Sequence, residues 1–392
     1  MKTAVQFGAG NIGRGFIAQL FHESGYRVIF VDISPTILDA INHLGHYNIR
    51  IVGEGADIIP IDNIQGLEAH NADAVAEALA NCSIASTAVG AGALKAIAPL
   101  IATGLMRRMA ITSDPLNILI CENLHDASDY LRGMVGNHLP PDLRETILAR
   151  TGFVQAVVSR MAPLQVPSET DPFSLDIRVE AYKRLPVDAK CIVGTLPEIV
   201  GVIPVNNFQA QVERKLYTHN CAHATLGYLG YLEGIEFGYE ALETPSVRKI
   251  LDEVLEETSE ALIRKHGFDR DEHREHVMDL LRRFANVELG DTCFRLARDP
   301  LRKLAPDDRL VGAARLCETH GVKTDALAKV IAAALRFDAP EDPSAMKLSQ
   351  LIKQKGVEVT LRELCSIDPS EPFGEMILRE YHHLPSNDII LA

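Results

Sequence analysis

Short apolar runs alternate with stretches of helical periodicity over the first half of the chain. Thr3 to Phe7 is apolar and ends in glycines, which is typical of a buried parallel strand. Asn11 to Ser24 repeats its apolar residues at helical spacing, and Arg27 to Asp32 is again strand-like. Ser34 is then placed as the N-cap of a following helix. This order predicts a βαβ unit, in which consecutive strands lie parallel.

Further strand-like runs continue the alternation. They are Ser83 to Val89, Asn117 to Cys121, Phe153 to Val158 and Ser174 to Tyr182. Strands that alternate with helices are the pattern of a doubly wound sheet. We therefore predict an α/β fold whose N-terminal part is a Rossmann-type doubly wound parallel sheet.

The second half of the chain has an almost entirely helical pattern. The clearest segments are Gln211 to Leu232, Pro245 to His266, Glu272 to Ala285 and Lys323 to Leu335. Proline-containing loops lie around residues 185–205, where the pattern changes. We predict two domains, residues 1–195 with the parallel sheet and residues 196–392 as a mainly α-helical C-terminal domain.

Composition narrows the class of protein. The 392 residues carry a formal net charge of -14, which argues against binding to a nucleic-acid backbone. The seven cysteines are scattered and never spaced as Cys-x-x-Cys, as expected of reduced thiols in a cytoplasmic protein. The first residues lead directly into a strand, so we expect no signal peptide, and no apolar stretch is long enough for a membrane span.

The strongest motif is the glycine loop Gly8-Ala9-Gly10-Asn11-Ile12-Gly13, which fits G-x-G-x-x-G. It follows a predicted strand and begins a predicted helix, the context in which this motif binds a dinucleotide. The helix N-terminus offers free N–H groups to the pyrophosphate. We predict that Gly8, Gly10, Asn11, Ile12 and Gly13 bind the cofactor.

Asp32 indicates which cofactor is bound. It ends the second strand, 19 residues after Gly13, where a carboxylate accepts hydrogen bonds from the adenosine ribose. The same carboxylate repels a 2′-phosphate, so the sequence favours NAD over NADP. Val89, at the end of a later strand, is a further predicted cofactor contact. A tight turn with an incidental aspartate is the weaker alternative.

A second informative segment carries Lys215, His219, Asn220 and His223. At about 100° per residue from Lys215, His219 lies near 40°, His223 near 80° and Asn220 near 140°, so one helix face carries all four. A lysine with a lowered pKa can remove the proton of an alcohol, and amide or imidazole groups can donate hydrogen bonds to its oxygen. From spacing alone, a solvated helix face is an equal alternative.

A metal site is a further alternative for this segment. His219 and His223 are four residues apart and could share a metal ion. No acidic or cysteine residue on this face completes a site, and H-E-x-x-H is absent, so we expect no metal. The pairs His273/His276 and His382/His383 lie among polar residues and are predicted to be on the surface.

Together these segments resemble one family. Four segments resemble motifs of the polyol-specific long-chain dehydrogenases. They are Gln6 to Phe16, Glu213-Arg214-Lys215-Leu216 with Asn220 and His223, Ile120-Cys121-Glu122-Asn123, and Asp299 to Leu304. The family pattern K-x4-N-x2-H is matched at Lys215, Asn220 and His223. The resemblance extends over nearly the whole chain.

The resemblance implies a function. Lys215 would be the general base, Asn123, Asn220 and His223 would hold the substrate oxygen, and the substrate would lie between the two domains. The enzyme would be NAD-dependent and metal-free, interconverting a sugar-alcohol phosphate and a ketose phosphate, with D-mannitol 1-phosphate and D-fructose 6-phosphate as the expected pair. The candidate phosphate ligands are Arg160, Arg295, Arg298, Arg302 and Lys303, of which two or three are expected to touch the substrate.

Some positions depart from the family pattern. Cys221-Ala222 replaces Thr-Gly, Ser159 begins a segment that usually reads D-R-I-V-P, and the chain has no Trp. The same chemistry on another polyol, polyol phosphate or hexuronate therefore stays open, as does a non-catalytic NAD-binding regulatory protein. Relatives of this kind are expected to be monomers or small homo-oligomers without a nucleic-acid or membrane partner.

Overall fold

The computed structural model describes residues 2–53, 55–163, 165 and 174–384. The chain divides into two compact units, Met1–Phe208 and Gln209–Ala392. Within the described ranges, no helix combines the length and apolar character needed to cross a membrane.

The first unit contains strands and helices in alternation. Its strands are β1 Lys2–Phe7, β2 Tyr26–Asp32, β3 Tyr47–Ile51, β4 Asp57–Ile61, β5 Ile64–Glu68, β6 Ile84–Thr87, β7 Leu116–Ile120, β8 Thr151–Gln155, β9 Ile177–Val179, β10 Leu185–Asp188 and β11 Val202–Val205. Its helices are α1 Ala18–Glu23, α2 Pro35–Leu44, α3 Ala72–Asn81, α4 Leu94–Ile111, α5 Ala127–Asn137 and α6 Pro141–Ala149. A π-helical turn, Gly13–Ile17, precedes α1.

The main sheet has six parallel strands in the order β5-β2-β1-β6-β7-β8. The strand order reverses beside β1, so the loops after β1 and β6 diverge at the carboxyl edge, where such folds bind ligands. Apolar clusters cover both faces of the sheet, one including Phe16 and Phe30 and the other including Phe7 and Leu105. The predicted doubly wound parallel sheet is confirmed.

Several strands were not predicted. The sequence interpretation left out β3, β4 and β5, although β3 alternates buried Tyr47, Ile49 and Ile51 with polar residues. The prolines of residues 185–205 predict loops, but this region contains β10 and β11. Pro186 and Pro204 lie in these two strands, which form their own two-stranded sheet. Each strand there is an edge strand, where a missing N–H is tolerated.

The second unit is helical. Its helices are α7 Phe208–Arg214, α8 Cys221–Leu232, α9 Gly238–Glu243, α10 Pro245–His266, α11 Arg270–Phe284, α12 Cys293–Ala297, α13 Pro300–Lys303, α14 Val311–Thr319, α15 Asp325–Leu335, α16 Pro343–Lys355, α17 Val357–Cys365 and α18 Pro372–His383. α8 and α15 are buried along most of their length. The prediction of a mainly α-helical C-terminal part is confirmed.

Candidate active site

The glycine loop joins β1 to the π-helical turn and packs against the loop after β6. Gly8 has φ +91°, and a Cβ there would lie 2.3 Å from the carbonyl oxygen of Ala88. A Cβ on Gly13 would lie 2.0 Å from the carbonyl oxygen of Gly8. Both positions therefore exclude any side chain, for backbone conformation and close packing respectively.

Gly10 and Asn11 form the open side of this loop. Both are exposed, and a Cβ on Gly10 would meet no atom within 4 Å. Ile12 is half-buried and packs against the apolar cluster. A group as large as a pyrophosphate can therefore approach the backbone at Gly10, as the G-x-G-x-x-G interpretation requires.

Asp32 lies at the carboxyl end of β2 and holds the glycine loop directly. Its Oδ2 accepts a hydrogen bond from the N–H of Ala9 at 2.6 Å. Its Oδ1 accepts from the N–H groups of Ile33 and Ser34 at 2.7 and 2.9 Å. The carboxylate is thus fixed beside the loop that would carry the pyrophosphate.

The loops after β6 and β7 are joined by Glu122. This residue is 8% exposed, and its two carboxylate oxygens accept hydrogen bonds from the N–H groups of Val89 and Gly90, at 2.8 and 2.9 Å. Asn123 follows directly in the chain and is exposed. The first unit therefore brings Val89 and Asn123, both predicted from sequence, to neighbouring loops at one edge of the sheet.

In the second unit, Lys215–Asn220 is a π-helical turn between α7 and α8. The angle of 140° predicted between Lys215 and Asn220 is therefore wrong, because it assumed α-helical geometry. Hydrogen bonds in a π-helix connect residues five apart, so Lys215 and Asn220 stack along one side of the turn. His219 is 7% exposed and Thr218 is fully buried, which excludes a solvated helix face.

Lys215 is half-buried, and its surroundings disfavour the charged form. Burial, followed by the charge of Arg309, lowers the pKa of Lys215 to about 8. Arg309 is held by Asp308, whose Oδ1 accepts from its Nε at 2.7 Å. Asp308 also pairs with Arg302 at 3.5 Å, and Arg302 pairs with Asp299 as well, so the two guanidinium groups and the two carboxylates form one ion-pair network.

The two histidines of the segment form a stacked group with Phe284. His223 lies parallel to the Phe284 ring at 4.0 Å between centroids, and His219 meets the His223 ring edge-on at 4.7 Å. Burial is the main cause that lowers the pKa of both imidazoles well below its usual value. For His223, Arg283 is the next cause. Both rings are therefore neutral at pH 7.

His223 also lines a small, partly open pocket. Phe284, Tyr239, Asn286 and Asp291 are among its other walls. The pocket therefore combines apolar rings with polar groups beside the motif histidine.

The five predicted phosphate ligands have different surroundings. Arg160 is 5% exposed, and its guanidinium donates to the carbonyl oxygens of Glu180 and Gly15 at 2.8 and 3.0 Å, which gives it a role inside the first unit. Lys303 is buried and donates to the carbonyl oxygen of Leu296. Burial, followed by Arg309 and Arg302, lowers its pKa to about 7.

The remaining three cations lie on or beside α12 and α13. Arg302 pairs with Asp299 at 2.7 Å, and Arg295 pairs with Asp291, a wall of the pocket. Burial, followed by the neighbouring charge of Arg298, lowers the pKa of Arg295. Arg298 is exposed and forms no ion pair within the described part of the chain. Two neighbouring guanidinium groups, of which only Arg295 is paired with a carboxylate among the described residues, thus lie beside the pocket.

The alternatives involving other histidines and metals can be compared with the structure. Within the described residues, no group of three or more His, Cys, Asp or Glu side chains is placed to hold a metal ion. The prediction that His273 is on the surface is wrong, because its side chain is 1% exposed and contacts Ser259 Oγ at 3.0 Å. His382 and His383 are exposed, as predicted.

Sequence reasoning assigned no role to Glu122, Phe284 or Arg309. Phe284 and Arg309 lie far from the motif in the chain and reach it only through the packing of the helices, so no local pattern could identify them. Glu122 does have a sequence signal, because it is an acidic residue directly after an apolar strand and next to Asn123. Acidic residues are seldom buried, so one at such a position indicates a specific role.

Comparison with known families places the chain. The Mannitol dehydrogenase Rossmann domain model matches residues 2–201, and the Mannitol dehydrogenase C-terminal domain model matches residues 207–379. The chain belongs to the mannitol dehydrogenase family, and the predicted relationship to the polyol dehydrogenases is confirmed.

Curated relatives narrow the comparison further. The chain is 37% identical to mannitol-1-phosphate 5-dehydrogenase of Bacillus subtilis over 378 residues, covering 96% of this chain and 99% of the relative. It is 36% identical to the Brevibacillus brevis protein of the same name, with 97% and 98% covered. Among solved structures, the Pseudomonas fluorescens mannitol 2-dehydrogenase ternary complex with NAD and D-mannitol has a TM-score of 0.76 at 19% identity, covering 100% of this chain and 93% of that one.

Proposed function

We propose that this protein is an NAD-dependent oxidoreductase that interconverts D-mannitol 1-phosphate and D-fructose 6-phosphate. The observation that carries the chemistry is the π-helical turn, which places Lys215, with a pKa lowered to about 8, on one side with Asn220. The reaction class is supported by the curated relatives, which are named mannitol-1-phosphate 5-dehydrogenase.

NAD fits the residues of the first unit. Gly10 leaves space for the pyrophosphate, and the N–H groups at the start of the helical segment are the donors that such a group would use. Asp32 is fixed where it can accept hydrogen bonds from the ribose hydroxyls, because its carboxylate has acceptor sites besides the one bound to Ala9. When bound, the nicotinamide supplies the acceptor or donor of a hydride.

Lys215 is the proposed general base. In the oxidative direction its neutral Nζ takes the proton from the substrate hydroxyl while the hydride leaves the same carbon, so a carbonyl and an ammonium group are formed. Asn123, Asn220 and a neutral His223 donate hydrogen bonds to the substrate oxygen, which carries more negative charge as the proton leaves. In the reductive direction the Lys215 ammonium returns the proton.

Arg295 and Arg298 are the proposed phosphate ligands. They are close enough for Arg298 to lower the pKa of Arg295, and only Asp291 pairs with Arg295 among the described contacts. A bound phosphate would relieve the repulsion between these two cations and accept bidentate hydrogen bonds. Arg302 already pairs with two carboxylates, those of Asp299 and Asp308, and Lys303 donates to the carbonyl oxygen of Leu296, so we expect neither to bind the phosphate directly.

Steady-state kinetics test the substrate. With NADH, fructose 6-phosphate should be reduced with a kcat/KM far above that of unphosphorylated fructose, and Arg295→Gln should remove most of the difference. Equal turnover of both sugars would contradict the proposal that the enzyme recognises the phosphate group of its substrate. A panel of ketoses, ketose phosphates and keto-hexuronates then shows whether another substrate is preferred, and no turnover on any of them would favour a regulatory NAD-binding protein.

Two matched lysine variants test the base. Lys215→Met should lower kcat about 100-fold or more, while NADH affinity stays within error. Lys303→Met removes the other lysine with a lowered pKa, and we expect its main effect on KM for the phosphorylated substrate. If Lys303→Met abolishes turnover and Lys215→Met does not, the assignment of the base is wrong.

A further inference from the structure

The loop after β6 depends on a carboxylate from the neighbouring strand. Val89 and Gly90 follow β6, and Gly90 has a positive φ of 85°. Both N–H groups are bound by the carboxylate of Glu122, which follows β7 and is buried. An ionised acceptor with two N–H donors holds a loop more strongly than a neutral group can.

The same loop touches the glycine loop. The carbonyl oxygen of Ala88 and the Cγ1 of Val89 would lie 2.3 and 3.2 Å from a Cβ on Gly8. A shift of the Ala88–Gly90 segment would therefore change the packing against Gly8 and the shape of the turn that receives the pyrophosphate. On the other side, the N–H of Cys121 is bound to the carbonyl oxygen of Thr87 at 3.0 Å, which holds the start of the second loop against the end of β6.

Glu122 is also the chain neighbour of Asn123. Its carboxylate is fixed at two points, so the backbone that carries Asn123 is fixed relative to the loop of Val89. In a doubly wound sheet, the carboxyl ends of the strands beyond the switch point receive the nicotinamide half of the dinucleotide, while the adenosine half lies over β2. Glu122 thus lies between the nicotinamide side of the cofactor and a ligand of the substrate oxygen.

We propose that Glu122 is a positioning residue that aligns the nicotinamide-side loop with Asn123 for hydride transfer. The inference rests on the proposed function for the roles of NAD and Asn123. It differs from a purely structural role in one respect: loss of the carboxylate should affect the nicotinamide half of the cofactor and the reaction, and leave the adenosine half unaffected.

Glu122→Gln keeps the shape of the side chain but leaves only one acceptor oxygen for two N–H donors. We expect NADH affinity and kcat each to fall roughly ten- to hundredfold, the usual range for a lost hydrogen bond to a charged group. ADP, which lacks the nicotinamide, should bind with wild-type affinity. Exchange of the Val89 and Gly90 amide hydrogens, measured by mass spectrometry, should become faster.

Glu257→Gln is the matched control. Glu257 also binds two successive N–H groups, those of Ala326 and Leu327 at 2.8 and 3.1 Å, but at the start of α15 in the helical unit. It should lower the melting temperature and leave the ratio of ADP to NADH affinity unchanged. If Glu122→Gln does not fold, Glu122→Asp, which withdraws the carboxylate by one methylene, is measured in the same way.

Two results would overturn the proposal. One is an equal loss of affinity for ADP and for NADH in Glu122→Gln, which would show that Glu122 contributes only to the stability of the fold. The other is an unchanged NADH affinity and kcat in a folded variant. Because the binding ratio is measured without a substrate, it tests Glu122 even if the wild-type protein fails to reduce fructose 6-phosphate. That failure would count against the proposed function and not against the alignment of the cofactor loop.

Discussion

Replacing Arg309 with glutamine changes the charge beside the proposed base without touching the base itself. Arg309 precedes α14, and its side chain is 14% exposed. Its charge contributes to the lowered pKa of Lys215, Lys303 and His223. Removing it should make the ammonium form of Lys215 easier to hold, so the pKa of Lys215 should rise.

The size of the effect follows from the order of the causes. The pKa of Lys215 is lowered from 10.5 to about 8, with burial as the larger cause and Arg309 as the smaller. Arg309 therefore accounts for less than half of the difference. Because one pKa unit is a factor of ten in the protonation equilibrium, the neutral fraction of Lys215 at pH 7 should fall by at most roughly 20-fold.

The pH dependence of kcat/KM for polyol oxidation measures this effect, because it reports the ionisation of the free enzyme. In the wild type, activity should rise as the pH increases through about 8, since oxidation needs neutral Lys215. In Arg309→Gln the same rise should occur at higher pH. Above that range, where Lys215 is neutral in both proteins, the two rates should converge.

Two control variants make the reasoning refutable. Arg309→Lys keeps the charge and should leave the midpoint near that of the wild type. Asp308→Asn removes the carboxylate that balances Arg309 and should move the midpoint to lower pH. An unchanged midpoint in Arg309→Gln, or the same change in Arg309→Lys, would show that charge at this position does not set the ionisation of the base.

Three further predictions concern the cofactor loop and the histidines. Asp32→Ser should weaken NADH binding roughly ten- to hundredfold and improve the relative use of NADPH, because it removes a charged hydrogen-bond acceptor and a repulsive carboxylate; NADPH kinetics that stay as poor as in the wild type would contradict this. Gly10→Ala should leave the melting temperature unchanged and weaken NADH binding. Gly13→Ala should lower the melting temperature and also weaken NADH binding, because only the Gly13 methyl group would overlap protein atoms. Calorimetry and NADH titration distinguish the two variants. The pKa values of His219 and His223 are lowered in the folded state, so the unfolded state binds more protons and the protein should lose stability as the pH falls below about 6.5. The urea midpoint of His219→Gln should therefore change less between pH 7 and pH 5 than the midpoint of the wild type. The same pH dependence in both proteins would contradict the assignment of a neutral, buried His219.

The cofactor half of the site could be predicted from the sequence because its geometry is local. Gly8 to Gly13 and Asp32 belong to one strand–loop–helix–strand unit, in which the spacing along the chain fixes the spacing in space. Hydrophobic periodicity also identified five of the six strands of the main sheet, all except β5, since a strand buried on both faces is a short continuous apolar run.

The catalytic half could be predicted only in part. Lys215, Asn220 and His223 are close in the chain, so their joint position could be inferred, but the angles assumed an α-helix and the segment is a π-helical turn. A spacing of five between Lys215 and Asn220 is itself the repeat of π-helical hydrogen bonds, so the sequence does contain a signal for the π-helical turn. Arg309 and Phe284 depend on the packing of distant helices, which no local pattern contains.

The first π-helical turn, Gly13–Ile17, shows how such a segment is supported. A π-helix disturbs the regular backbone ladder, so its carbonyl groups need other partners. The Tyr47 hydroxyl donates to the carbonyl oxygen of Arg14 at 2.7 Å, and Arg160 donates to that of Gly15 at 3.0 Å. These contacts tie the helical segment that follows the glycine loop to β3 and to the chain before β9. Arg160 thus supports the backbone that follows the glycine loop. This structural role accounts for an arginine at this position, although the substrate phosphate is proposed to bind in the second unit.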